Sequence, residues 1–301
     1  MLAAALMGGC ATPQVSALLE RVPESLPPRA ELTATPFFAQ EQYQCGPASL
    51  ATALTHAGTA TSPEALKSEV YIPAREGSLQ PEMLAATRRK GHVAYRIAPS
   101  LEALLREVAS GTPVIVLQNL SLPIAPLWHY AVVIGYDLPR REILLRSGIT
   151  ERLAMSMSTF ERTWARGGHW AMAAVPPQRV PETADPDSFF GAVLALERVS
   201  ASAGRQGYAS ALARWPDHLL TRIALGNAEY RVGNLNAAEA AFREATRRHP
   251  QAADAWNNLA QTLLELGRRR DALEAAERAV NLGGPRLAQY RATLDAVSTT
   301  P

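Results

Sequence analysis

Of the two cysteines in the chain, Cys45 is followed by Gly46, Pro47, Ala48, Ser49 and Leu50, a run that opens a helix. Proline suits the first helical turn, where its missing N–H costs nothing, and glycine tolerates the tight entry. A thiol placed there faces the positive end of the helix dipole and unpaired backbone N–H groups, and both favour the nucleophilic thiolate. Such a nucleophile needs a base, and His129 heads the run Trp128-His129-Tyr130-Ala131-Val132-Val133-Ile134-Gly135-Tyr136-Asp137. That places the imidazole at the start of a buried strand, which fixes its direction. The remaining histidines lack this setting: His56 ends the cysteine helix, His92 follows a Lys-Gly turn, His169 follows Gly-Gly, and His218 and His249 lie in a helical region. Thiol plus imidazole is the equipment of nucleophilic acyl transfer.

The elements that must position this pair can be read from periodicity. Residues 47–57, 81–90 and 101–109 have helical spacing, whereas 114–117, 130–136 and 143–145 are short Val-, Ile- and Leu-rich runs flanked by Gly, Pro or charge, which favours strands. Helices first and a sheet afterwards is an α+β order. Gly167-Gly168 reads as a turn before a further strand at 170–174. Trp128 and Trp170 are available either to line a cleft or to pack in the core.

Beyond residue 187 the chain turns almost wholly helical and repeats itself. Pro216 and Pro250 are separated by the same interval as Gly233 and Gly267, Leu225 and Leu259, Ala238 and Ala272, and Ala245 and Ala279. Small residues recurring at that interval are the signature of a helix-turn-helix repeat in which paired helices approach closely. Extended backwards, the register sets Gly204, Tyr208 and Ala211 opposite Ala238, Phe242 and Ala245, so a degenerate first repeat starts near Ser188. Prolines 13, 23, 27 and 28, and again 176, 177, 181 and 186, mark a spacer and a linker. The expected organisation is a signal segment at 1–10, a spacer at 11–30, a first domain at 31–176, a linker at 177–187 and about three helical repeats at 188–297.

With 47% apolar and 19% charged residues the composition is globular, and a net charge of +2 gives no reason to expect nucleic acid as a partner. Two cysteines provide no disulfide framework. The scattered histidines make no zinc-type cluster and no glycine-rich run opens a phosphate cradle, so no cofactor or metal is expected.

Together, Gln40 to Leu50 with Cys45 at its centre, and the His129 run some eighty residues on, closely resemble the bacteriocin-processing, double-glycine leader peptidase family of the papain-like clan. The resemblance spans 31–175 and implies an α+β papain-like cysteine peptidase domain followed by an all-α array of tetratricopeptide repeats. It implies that Cys45 attacks a scissile carbonyl, that His129 takes and returns the proton, and that an upstream glutamine supplies an oxyanion donor. The family glutamine usually stands six residues before the cysteine; here that position is Ala39, and Gln40 is the choice, with Gln44 the weaker candidate. Where the family has an orienting Asp-Pro after a short strand, this chain reads Ile143-Leu144-Leu145-Arg146-Ser147-Gly148, so Ser147 takes that place. The family also implies cleavage after small residues such as a Gly-Gly pair, of a peptide or protein substrate, while the repeats bind a protein partner.

The opening residues, apolar and then Gly8-Gly9-Cys10, resemble a bacterial lipoprotein signal. That resemblance implies lipidation of Cys10, a membrane-held protein without a spanning helix, and a place in the cell envelope facing the periplasm. Two classes of function stay open: a lipid-anchored peptidase, for which transfer of the acyl group to an amine is a variant, and a peptidase-like scaffold that only binds extended peptide.

Overall fold

The computed structural model describes residues 12–40 and 44–299. Cys10 and its expected lipidation lie outside the described residues. The chain divides into two compact units, Met1–Ser188 and Phe189–Pro301.

In the first unit the order is α1 (Pro13–Glu20), β1 (Arg29–Glu31), α2 (Cys45–His56), α3 (Pro63–Val70), a 3-10 turn (Pro73–Arg75), α4 (Gln80–Arg89), β2 (Val93–Arg96), α5 (Leu101–Ala109), β3 (Val114–Asn119), β4 (Trp128–Asp137), β5 (Glu142–Ser147), β6 (Thr150–Ser156), α6 (Met157–Arg166) and β7 (Ala171–Val175). The strands form one antiparallel sheet in the order β2-β7-β3-β4-β5-β6, and β1 adds to β4 by pairing Arg29 to Glu31 with Asp137 to Gly135. This is the α+β architecture expected. Odd and even residues of β4 from Tyr130 to Tyr136 are all buried, so both faces of the strand are covered. On one face Leu50, Ala51 and Leu54 of α2 pack with Ile115, Val132, Ile134 and Leu144. Each fully buried leucine or isoleucine side chain contributes about 1.5–3 kcal/mol, which pins the helix that begins at Cys45 to the strand that begins near His129.

Both proline-rich stretches depart from the expectation of free connectors. Within the 11–30 spacer, α1 is a docked helix with Val15 and Leu18 buried. Pro13 sits in its first turn, where proline starts a helix rather than breaking one. The buried Glu161 carboxylate accepts from Gln14 N at 3.0 Å and Val15 N at 2.8 Å, capping that helix from another element. Gln14 in turn caps α5, its Oε1 accepting from Leu101 N at 2.6 Å. The 177–187 linker is fastened in the same manner. Fully buried Glu107 on α5 accepts from Glu182 N at 3.2 Å, Thr183 N at 2.7 Å and Thr183 Oγ1 at 2.6 Å. Arg179 Nη2 donates to Ser110 O at 2.6 Å.

The second unit is all-helical, with α7 (Pro186–Glu197) leading into it from the first, then α8 (Ala201–Arg214), α9 (Leu219–Arg231), α10 (Leu235–Arg248), α11 (Ala253–Glu265), α12 (Arg269–Leu282) and α13 (Leu287–Thr299). Ala238, Ala245, Ala272 and Ala279, the small residues of the repeat, are all completely buried. Gly233 and Gly267 take φ of 79° and 72° between the helices of successive pairs, a conformation that only glycine adopts without strain. No described helix is long and apolar enough to cross a membrane.

The Glu107 contacts predict where the first unit can be cut. A chain ending at Ser188 keeps them, whereas one ending at Val180 loses all three hydrogen bonds to Glu107, each contributing about 0.5–1.5 kcal/mol. Urea unfolding followed by circular dichroism should show the shorter chain unfolding at clearly lower denaturant; equal midpoints would mean Glu107 does not secure this segment.

Candidate active site

The cysteine helix and the histidine strand meet at a cavity of about 840 Å³. Cys45, His129 and Gln40 all line it, joined by Tyr130, Gly148, Leu117, Leu127, Trp128 and a wall from Arg75 to Gln80. Thiol and imidazole are each half-buried. Among the described residues no hydrogen bond joins them, as is common in sites free of substrate.

Ser147 comes to this site through strand register. In the β4–β5 pair, Val132 lies opposite Arg146, and a register shift between β5 and β6 falls between Leu145 and Ser147. A bulge of this kind re-aims the residue at the end of a strand. Ser147 Oγ lies 2.9 Å from His129 Nε2. With Nε2 so engaged, Nδ1 is the ring nitrogen left to exchange a proton with a thiol.

Gln40 is held firmly. Its backbone N donates to Gly148 O at 3.0 Å, and its Oε1 accepts from Gly148 N at 3.1 Å. Among the described residues the Nε2 group makes only long contacts, 3.4 Å to Tyr130 O and 3.5 Å to Ser49 Oγ, which leaves its N–H bonds open to a stronger acceptor. Gln44 occupies the N-cap of α2 and does not line the cavity. Trp128 lines the cavity while Trp170 is buried, its ring edge-on to Tyr130 at 5.7 Å.

Gly46 owes its identity to packing. A Cβ there would stand 2.2 Å from Ser78 Oγ and 2.5 Å from Ser78 Cβ, so any side chain would push the Arg75–Gln80 wall away from Cys45.

Electrostatics run against the expectation of a thiolate. Burial raises the Cys45 thiol above its ordinary pKa, and the backbone groups of Tyr130, Gly46 and Cys45 that favour the anion offset this only in part. Burial also pushes His129 down to about 4. The helix terminus supplies the anion-favouring groups anticipated, but desolvation is the larger effect, and at neutral pH both partners rest uncharged.

Sequence reasoning missed the wall at 75–80 and Gly148. The wall turns at a left-handed residue within it, Glu76 (φ 47°), and nothing in its composition marks it. Among the described residues no group of His, Cys, Asp and Glu is placed to hold a metal.

An α+β domain that sets a cysteine at a helix start and a histidine at a strand start across one cavity is the framework of the papain-like cysteine peptidases. Residues 32–172 match the Peptidase C39-like family and residues 223–292 match the tetratricopeptide repeat, so the chain joins a domain of that peptidase family to a repeat array. Among solved structures, a protein of Bacillus anthracis described as a C39-like peptidase shares 19% identity, with a TM-score of 0.43, over 51% of this chain and 99% of its own. A crystal structure of MamA shares 14% identity, with a TM-score of 0.35, over 38% of this chain and 68% of its own. Among curated proteins no relative matches significantly.

The His129–Ser147 contact is expected to be visible in titration. His129 should titrate near 4 by NMR, and Ser147→Asp should raise that value, since a carboxylate favours the imidazolium. An unchanged titration in Ser147→Asp would show that the side chain does not face the imidazole. Because the folded value lies below the ordinary 6.5, the unfolded chain binds the extra proton first, so stability is fully present above 6.5 and declines as pH falls toward 4.

Proposed function

We propose that the first unit is a cysteine peptidase that cleaves a peptide bond through a thioester on Cys45. The observation that carries this reading is the convergence of Cys45, His129 and Gln40 on one cavity, with Ser147 on the far nitrogen of the histidine. The sulfur attacks the scissile carbonyl carbon as its proton passes to His129 Nδ1. The developing oxyanion is met by Gln40 Nε2 and the backbone N–H of Cys45. The imidazolium then protonates the leaving amine, and water, deprotonated by the same imidazole, hydrolyses the thioester and frees the thiol.

With a raised thiol and a lowered imidazole, proton removal accompanies attack instead of preceding it. Ser147 orients the ring by accepting from Nε2–H, but it carries no charge to stabilise the imidazolium as a carboxylate would. We propose further that the helical repeats recruit a protein substrate or partner, and that lipidation at Cys10 holds the protein in the cell envelope, facing the periplasm. Acyl transfer to an amine would use the same thioester. The uncharged resting pair is also what a peptidase-like scaffold without turnover would display, and that is the competing reading.

Cys45→Ala and His129→Ala should each abolish turnover while leaving thermal unfolding nearly unchanged, and the double variant should be no worse than either, because the residues act as a unit. In the wild type, kcat/KM should hold down to mildly acidic pH and fall only as His129 protonates, near 4, because an imidazolium cannot accept the thiol proton. Comparison of envelope and secreted peptides from cells with and without Cys45→Ala would expose the cleavage; no peptide dependent on Cys45 favours the scaffold.

A further inference from the structure

Arg146 is a buried cation on β5, 6% exposed and directly before Ser147 in the chain. Its guanidinium is met by main-chain carbonyls. Nε donates to Thr35 O at 3.2 Å, Nη2 to Thr35 O at 2.7 Å and to Thr33 O at 3.4 Å, and Nη1 to Glu151 O at 2.6 Å. The Glu151 carboxylate lies 3.9 Å away on a side chain that is largely exposed, so it offsets little of the charge. Burying a cation is costly unless hydrogen bonds meet it, and here they come from a stretch of chain with no regular structure.

That stretch carries Gln40. Residues 32–40 hold neither helix nor strand, so the place of Gln40 at their end comes from tertiary anchors. Leu32 N donates to Ile134 O at 2.7 Å, and Thr35 N closes a turn by donating to Leu32 O at 3.0 Å. On that turn Thr35 Oγ1 lies 3.0 Å from Nδ1 of His56, the last residue of α2, while Arg146 takes the carbonyls of Thr33 and Thr35. Three consecutive residues then have three separate tasks. Arg146 grips the segment, Ser147 meets Nε2 of His129, and Gly148 receives Gln40 at its backbone and at its side chain.

We propose that Arg146 is a positioning residue for the oxyanion donor: by fastening residues 33–35 to the end of β5, it sets the Gln40 amide and the His129 ring in one frame. The inference rests on the peptidase reading, in which Gln40 Nε2 meets the developing oxyanion, and it adds the residue through which that donor is held. Only a guanidinium fits the task. Its planar fork spans carbonyls from residues 33–35 and from β6 at once, which the single nitrogen of a lysine cannot do.

The test uses the full chain and two small probes, with the Cys45→Ala chain as the blank for each. p-Nitrophenyl acetate passes its acetyl group to the Cys45 sulfur through an oxyanion and releases p-nitrophenolate; iodoacetamide alkylates the same sulfur by displacing iodide and forms no oxyanion. Gln40→Ala should slow acetyl transfer by about a hundred-fold, the usual loss for one oxyanion donor. Arg146→Lys should slow it by about ten-fold or more, since a misplacement of about 1 Å is enough to do so, and should leave alkylation unchanged. Combined with Gln40→Ala, the lysine change should slow acetyl transfer no further. Arg146→Gln, which buries no charge, serves as a second variant should the lysine variant not fold. Wild-type acetyl transfer in either variant overturns the proposal. So does a parallel loss of alkylation, or an undiminished effect of the Arg146 change in the Gln40→Ala chain, each of which would mark Arg146 as a support of the fold alone. Failure of the peptidase reading is distinguishable: the wild-type chain would then release no p-nitrophenolate above the Cys45→Ala blank, and both readings would fall together.

Discussion

The packing of α2 against β4 is the constraint from which the site follows. Leu50 and Leu54 are driven against Val132 and Ile134, and with them goes the first turn of the helix, which has no freedom to turn Cys45 elsewhere. The same strand fixes His129 one residue before its buried run begins, and its partner β5 delivers Ser147 to the far side of the ring. Each of these side chains lies at an end of a regular element, where direction is inherited from the core and access to the cavity is still open. The close approach of Gly46 to Ser78 extends the constraint to the Arg75–Gln80 wall, so that Cys45 and this wall of the cavity are set by one contact surface.

That packing has an electrostatic consequence. A helix N-terminus and backbone N–H groups are offered to the Cys45 sulfur, yet the burial that fixes its position removes water from it, and the second effect is the larger. His129 is subject to the same desolvation, with no carboxylate among the described residues to counter it. A charged pair at rest would need an orienting Asp to stabilise the imidazolium, and Ser147 supplies geometry without charge. Ser147 thus keeps the arrangement of the groups intact while leaving the imidazole without a charged partner on that side.

How much of this was legible in the sequence depends on whether the signal is local. The apolar run after His129 is long enough to fix that strand's direction, whereas Ser147 was reached only through the family resemblance; the structure brings the two side chains together. The repeats were legible because Ala238 and Ala272, or Gly233 and Gly267, recur at one interval, and a packing rule applied twice leaves a period. The wall at 75–80 was not legible, since its place in the cavity comes from the tertiary contact with Gly46, which no pattern in its own residues encodes. The balance that raises the Cys45 thiol was hidden for the same reason: a sequence displays the helix start but not the depth of burial. The apolar loop from Leu120 to Leu127 did carry a signal, an uncharged run between two strands, but with Pro123 and Pro126 it reads equally as a simple connection.

Prolines misled at both ends of the first unit for a shared physical reason. Residues 11–30 and 177–187 have the composition of connectors, and composition tracks the helix-breaking character of proline without tracking where backbone N–H groups find acceptors. Here the acceptors are buried carboxylates: Glu161 takes the first N–H groups of α1, and Glu107 takes those of Glu182 and Thr183. A buried carboxyl group must find hydrogen-bond partners, and rigid donors near at hand are main-chain amides at a helix start or in a turn. Two glutamates on α6 and α5 thus convert stretches that would otherwise be loose into parts of the first unit. The domain that holds the cavity is in consequence longer at both ends than its hydrophobic pattern alone delimits, running from α1 to the start of α7.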